Sequence, residues 1–145
     1  MLQQESLTDL IAALRMVGNK IEIETAGTIL PTASWRSFVH FNVSPKLEHS
    51  GNDLRARRNP AALVRFALLG AQFKFVVATE SDFVEIEALI EMANIPREQV
   101  WIMPEGTTTE ATTKHARQIV DYVLSKGWNL TLRNQIIIWG NERAK

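Results

Sequence analysis

The sequence predicts an α/β fold with a mostly parallel sheet, and three observations lead there. Runs of strand periodicity alternate with runs of helical periodicity along nearly the whole chain. Parallel neighbours need crossover connections, so such alternation means a parallel sheet. Several strand runs stop at small, polar or proline residues, as Val39–Val43 does at Ser44-Pro45-Lys46. The early strand runs also carry polar residues on one face: Glu22 with Glu24, then His40, Asn42 and Ser44, with Lys74 interrupting a later run. Strands covered on both faces are almost wholly apolar, and burying unpaired charge is costly. Helices therefore cover one face and the other is wet. Two forms satisfy this: a barrel or partial barrel with a polar interior, or a sheet whose bare face meets water.

Each element has its own signal. Leu7, Leu10, Ile11, Leu14 and Val17 recur at helical spacing, so residues 4–17 form an amphipathic helix, ended by Gly18-Asn19. Lys20–Thr25 alternates strictly and reads as a strand, with Ala26-Gly27-Thr28 as its terminal loop. Thr32–Ser37 is polar and irregular. Val39, Phe41 and Val43 alternate with His40 and Asn42 as a second strand, which Pro45 ends because proline cannot donate to a ladder. Leu47–Asn59 reads as a loop whose Arg55, Arg57 and Arg58 form either a solvated surface or a contact for phosphate or an acidic partner. Pro60 opens a short helix through Leu69, and Gly70 ends it.

Phe73–Val77 is the third strand. Thr79 or Ser81 can cap the next helix, with Asp82 favourable in its first turn and Phe83, Ile86, Leu89, Ile90 and Ala93 as its apolar stripe. Val100–Met103 is a short buried strand ending at Pro104-Glu105-Gly106. Thr107–Thr109 can cap a long helix using Ala116, Ile119, Val120, Val123 and Leu124, closed by Gly127. Leu130–Leu132 and Gln135–Trp139 read as strand or strand-like runs. Trp101 and Trp139 read as core residues.

Composition bounds the function. The 145 residues fit one domain, 1–145. Hydrophobic residues at 46% and charged residues at 22% are an ordinary soluble globular mixture, and 16 basic residues balance 16 acidic ones. A general nucleic-acid binder shows a basic excess, so none is expected, though a local patch stays open. The absence of cysteine excludes disulfides, thiolate zinc sites, a cysteine nucleophile and a cysteine-held iron–sulfur cluster within this chain. His40, His49 and His115 show no metal spacing, and no metal site is expected in the chain. The start has no signal-peptide pattern and no apolar run approaches the roughly 18 residues of a membrane span. The expectation is a cytoplasmic protein with no membrane partner.

Three loops then follow strand ends: Glu24–Thr28, Ser44-Pro45-Lys46 and Met103-Pro104-Glu105-Gly106. In a parallel sheet all three lie at one end, where open α/β sheets and barrels hold ligands. Hydroxyls, a lysine, a carboxylate and free backbone amides would converge there, which suits a polar small molecule bearing a carboxylate, an amine and a ribose. Glu24, Thr25, Thr28 and Asn42 are further pocket candidates. No Ser-His-Asp set, Walker loop or Gly-x-Gly-x-x-Gly loop is present.

Ile21–Thr28, Val43–Leu47, Phe73–Val77, Val100–Thr107 and the closing Ile138-Trp139-Gly140-Asn141-Glu142-Arg143 together resemble, in order, the C-terminal half of 7-carboxy-7-deazaguanine synthase. The resemblance implies the C-terminal part of a partial (β/α) barrel of the radical S-adenosylmethionine (SAM) type. That family converts 6-carboxy-5,6,7,8-tetrahydropterin to 7-carboxy-7-deazaguanine, on the way to queuosine, using SAM, a [4Fe–4S] cluster and Mg²⁺. It implies SAM contacts for Ser44, Pro45, Lys46, Met103, Pro104, Glu105 and Gly106. Glu24–Thr28 resembles the family's Glu-Thr-Asn-Gly-Thr strand end, with Ala26 in place of Asn. The family's C-terminal residue closes over substrate, but Ala144-Lys145 follows Arg143 here where the family usually has Gly, so that role does not carry to Lys145.

Met1-Leu2-Gln3-Gln4 resembles the residues directly after the family's Gly-Gly-Glu-Pro strand end. The Cys-x₃-Cys-x₂-Cys loop and the Mg²⁺ threonine belong to the half before it. The [4Fe–4S] cluster and Mg²⁺ would need ligands from a partner half, and no catalytic residue is expected in this chain. Three readings stay open: one half of a split or truncated lyase, an inactive relic, or a non-catalytic SAM- or pterin-binding module. In each, the Ile21–Thr25 strand is left as an open sheet edge, which invites an N-terminal-half polypeptide or a second copy.

Overall fold

A computed structural model describes residues 4–35 and 38–140. Arg36 and Ser37 of the irregular segment, Met1–Gln3 and the closing stretch from Asn141, with Arg143 and Lys145, lie outside them. The described elements run α1 (Gln4–Met16), β1 (Ile21–Thr25), β2 (Val39–Val43), α2 (Leu54–Arg57), α3 (Pro60–Leu68), β3 (Gln72–Val77), α4 (Asp82–Ala93), β4 (Val100–Pro104), α5 (Thr109–Ser125), β5 (Asn129–Leu130) and α6 (Asn134–Trp139). The five strands form one sheet in the order β1-β2-β3-β4-β5, every pair parallel.

Alternation decides which face is covered. Val39, Phe41, Val43, Phe73, Phe75, Val77, Val100 and Ile102 are buried and meet Leu63, Phe66, Ile86, Leu89, Ile119 and Val123 from α3, α4 and α5 in one core. Fully burying such a side chain contributes about 1.5–3 kcal/mol. The opposite face carries Glu22, Glu24, His40, Asn42, Lys74, Val76, Trp101 and Met103. Glu22, Glu24 and His40 are exposed, and Lys74, Val76, Trp101 and Met103 only half-buried. No described element covers this face. The polar faces of the first strands are thus the bare side of a single-covered parallel sheet, as in one arc of a barrel.

Local chemistry sets the helix boundaries. Asn59 accepts the Ala62 amide at 3.2 Å as N-cap, with Pro60 in the first turn, and Thr108 accepts the Ala111 amide at 3.1 Å. Asn94 ends α4 in the left-handed conformation (φ 48°).

Four expectations change. Gln135–Trp139 is not strand-like: Asn134–Trp139 is helical, held to α5 where Thr109 Oγ1 donates to the Ile136 carbonyl at 2.9 Å. Trp139 is 47% exposed and Trp101 half-buried on the bare face, so neither is a core residue; Trp35 and Trp128 are. Only Ile11 of the α1 stripe is buried, with Leu7 packed beside it, while Leu10, Leu14 and Val17 face outward. The arginine segment is a short helix, and its Arg57 and Arg58 are not a solvated surface, being paired to Glu85 on α4.

Candidate functional site

The parallel sheet brings the strand ends to one edge. There, Ser44, Pro45, Lys46, Leu47, His49, Ser50, Val76, Glu105 and Arg133 line a cavity of about 230 Å³. It takes residues from the ends of β2, β3 and β4 and from the segment after β5. The main-chain ladder continues past the formal strand ends: the Ser44 amide donates to the Thr25 carbonyl at 2.7 Å, Glu105 to Val77 at 2.8 Å, and Thr131 to Ile102 at 2.9 Å. These bonds fix where each loop leaves the sheet.

The loop after β2 is held from the far side. Leu47 is 2% exposed and anchors it in the core. Glu85, in the first turn of α4, accepts the Glu48 amide at 2.8 Å, Arg58 Nη2 at 2.6 Å and Arg57 Nη1, which also donates to the Lys46 carbonyl at 3.2 Å. Burial pushes the Glu85 carboxyl up, but the Arg57 bond, the Glu48 amide and Arg58 outweigh it and leave the group below its ordinary value. One turn earlier, Asp82 Oδ2 accepts the Ala78 and Thr79 amides at 2.7 and 3.0 Å, and Oδ1 lies 3.0 Å from His49 Nδ1. Asp82 behaves alike: burial raises it, and the two amides with His49 bring it net below the usual carboxylate range.

The second loop is shaped by Gly106. A Cβ there would lie 2.3 Å from Thr112 Oγ1 and 2.8 Å from the Thr112 amide nitrogen, so glycine lets α5 approach the end of β4. Pro104 is buried on the helix side and Met103 half-buried on the bare face; of this loop only Glu105 lines the cavity. The Glu24–Thr28 loop stands apart. Thr25 Oγ1 accepts the Gly27 amide at 3.2 Å, the Thr28 carbonyl accepts from Asn59 at 3.0 Å, and Glu24 is exposed; none lines the cavity. Asn42 is 3% exposed and donates its Nδ2 to Glu22, while its buried Oδ1 has no partner among the described residues.

Sequence reasoning missed Arg133, His49 and Ser50. Arg133 follows the last strand, and its position after Thr131-Leu132 was the available signal. His49 shows no metal spacing in the sequence, and its place in the cavity follows from the turn after Leu47.

The donor set is chemically legible. Lys46 and Arg133 offer two cations, Glu105 a carboxylate and Ser44 a hydroxyl, and no ion pair engages Lys46, Arg133 or Glu105 among the described residues. A zwitterionic amino-acid group, with its carboxylate toward the cations and its ammonium toward Glu105, fits this set. An iron–sulfur cluster does not fit, since the chain has no cysteine. Among the described residues, no three His, Asp or Glu gather as a metal site, and no helix is long and apolar enough to cross a membrane.

No protein-family model matches the chain. The curated 7-carboxy-7-deazaguanine synthase of Pyrobaculum aerophilum is 35% identical over 144 residues, covering 99% of this chain and 62% of its own length. The synthase of that name from Rhodopirellula baltica is 30% identical, over 97% of this chain and 58% of its own, and that of Halobacterium salinarum 32%, over 93% and 59%. The chain therefore spans less than two thirds of each of these relatives. Among solved structures, Streptococcus suis SuiB bound to S-adenosylmethionine superposes with a TM-score of 0.54 over 86% of this chain and 33% of that one. At 13% identity that likeness speaks for the fold alone, a parallel α/β sheet with helices on one face. Along nearly its whole length the chain is a sequence relative of the 7-carboxy-7-deazaguanine synthases, and the match is consistent with the C-terminal half of one.

Proposed function

We propose that these 145 residues form one domain, the C-terminal half of a radical SAM core. In this reading the chain supplies the SAM-side wall for conversion of 6-carboxy-5,6,7,8-tetrahydropterin to 7-carboxy-7-deazaguanine. The observation that carries it is the cavity at the sheet end. Two cations, a carboxylate and a hydroxyl line it, in a chain whose curated relatives share that one name.

Lys46 and Arg133 hold the carboxylate of the methionyl group, Glu105 its ammonium, and Ser44 a further polar atom. Pro45 shapes the wall beside them. Met103, Pro104 and Gly106 set the height and course of the second loop. Glu24 and Asn42 stand on the bare face toward the open edge, where the pterin substrate and the rest of the barrel would lie, while Thr25 ends β1 and Thr28 follows it on the side of α3. Bound SAM supplies the radical chemistry of this reaction class; this chain's part is to bind and orient it. Ligands for [4Fe–4S] and Mg²⁺ come from polypeptide beyond these residues, whether a separate N-terminal-half chain or the remainder of a longer one. The setting is the cytoplasm.

The test combines this chain with a polypeptide carrying the cysteine loop, for which the uncovered part of the Pyrobaculum aerophilum relative serves. After anaerobic reconstitution with iron and sulfide, consumption of SAM and of the pterin is followed. Turnover by the pair and none by either part is the expected result. SAM binding without turnover by any pairing would point to a binding module, and absence of both to an inert relic; either overturns the proposal.

A further inference from the structure

We propose that His49, oriented by Asp82, is a further ligand-reading residue of the cavity, with Nε2 accepting a hydrogen bond from a ribose hydroxyl of bound SAM. This rests on reading the cavity as a SAM site. His49 sits in the single turn Glu48–Ser50, directly after Ser44-Pro45-Lys46-Leu47, and lines the same cavity. Its side chain is 28% exposed, whereas that of Asp82 behind it is 8% exposed.

Asp82 Oδ2 is occupied by two backbone amides, and its Oδ1 faces His49 Nδ1 at 3.0 Å. An ionised carboxylate only accepts, so Nδ1 carries its proton toward Asp82, and the tautomer this selects leaves Nε2 as the acceptor facing the cavity. Nε2 makes no hydrogen bond among the described residues. A merely structural latch would be redundant here, because Leu47, Glu85 and Arg57 already tie the turn down.

The other cavity groups leave one role unfilled. Lys46 and Arg133 donate, Glu105 is a charged acceptor, the Ser44 hydroxyl already serves another polar atom of SAM, and Ser50 Oγ is committed to the Leu47 carbonyl at 2.6 Å and to Asn52 Nδ2 at 3.0 Å. An acceptor for a hydroxyl donor is supplied by His49 Nε2. Asp82 acts through His49 and is a positioning residue.

The test titrates the full chain with SAM by calorimetry, as wild type, His49→Ala and His49→Gln, alongside ¹⁵N-histidine NMR of the wild type, with His40→Gln and His115→Gln for assignment. About tenfold weaker binding is expected for His49→Ala, near-recovery for His49→Gln, whose amide oxygen restores an acceptor, and a shifted Nε2 resonance at saturation. Equal affinity of wild type and His49→Ala would overturn the inference while leaving the SAM site standing. A wild type that binds no SAM at millimolar ligand would overturn the SAM site and the inference with it. Should His49→Ala fail to fold by circular dichroism, an Nε2 resonance unmoved at saturating SAM would overturn the inference by itself.

Discussion

Glu85 accepts two guanidinium groups and a backbone amide, and joins α4, α2 and the loop after β2 at one carboxylate. Arg57 is 8% exposed at its side chain, so removing Glu85 strands a nearly buried cation. Glu85→Ala should cost about 2–3 kcal/mol in chemical denaturation. The sign of the pH effect follows from the depressed carboxyls of Asp82 and Glu85. Their stabilisation is complete above the ordinary carboxylate values of about 4, and is lost as pH falls through the lower folded values. Melting temperature should therefore drop on acidification below that range, and drop less steeply in Glu85→Gln; parallel profiles would refute the assignment. Gly106→Ala places a methyl against Thr112 backbone atoms at 2.8 and 2.9 Å. Overpacking of this kind costs about 1–3 kcal/mol, and a melt unchanged from wild type would show that α5 can retreat freely.

At the scale of elements, α1 and β1 stand out. Leu10 and Leu14 on α1 and Val17 just past its end are 53%, 38% and 75% exposed, beside a strand that pairs on one side only among the described residues. Unpaired strand edges and apolar helix faces both invite association. The isolated chain should self-associate, and Leu14→Glu with Val17→Lys should shift it toward monomer at a stability change within about 0.5 kcal/mol. Light scattering checks both, and a wild type monomeric at high concentration would remove the basis for a partner at this edge.

Elements were legible where period and breaker agreed. The alternation at Ile21–Thr25 and Val39–Val43 and the stripe of α4 are local signals, and the structure carries them. Gln135-Ile136-Ile137-Ile138-Trp139 misled because β-branched propensity favours a strand, whereas a helical turn forms there against Thr109. The Arg57–Glu85 pair spans 28 positions and Asp82–His49 spans 33, so no local pattern could show them.

At the scale of the molecule, charge on one face of the strands was enough to predict a sheet covered on one side only. The cavity was legible as a shared edge of loops, because parallel strands bring their ends together. Its membership was not: Arg133 enters from after β5, and Glu24, Thr25 and Thr28 stay outside, since β1 ends on the far side of β2 from β3 and β4. A sheet with five parallel strands and one bare face leaves an arc's inner side open, and the chain spans only part of its relatives' length.

Trp101 lies on that bare face on β4, next to Lys74 in the register, with an indole Nε1 that has no partner among the described residues. Its surroundings differ from those of Trp35 and Trp128 in the core, and Trp139 on α6 can be replaced by Phe to quiet the remaining exposed indole. Intrinsic fluorescence is then an optical gauge of whether the arc is closed. Anything that roofs the face should move Trp101 emission to shorter wavelength and shield it from iodide quenching; a ligand confined to the sheet-end cavity should leave both unchanged.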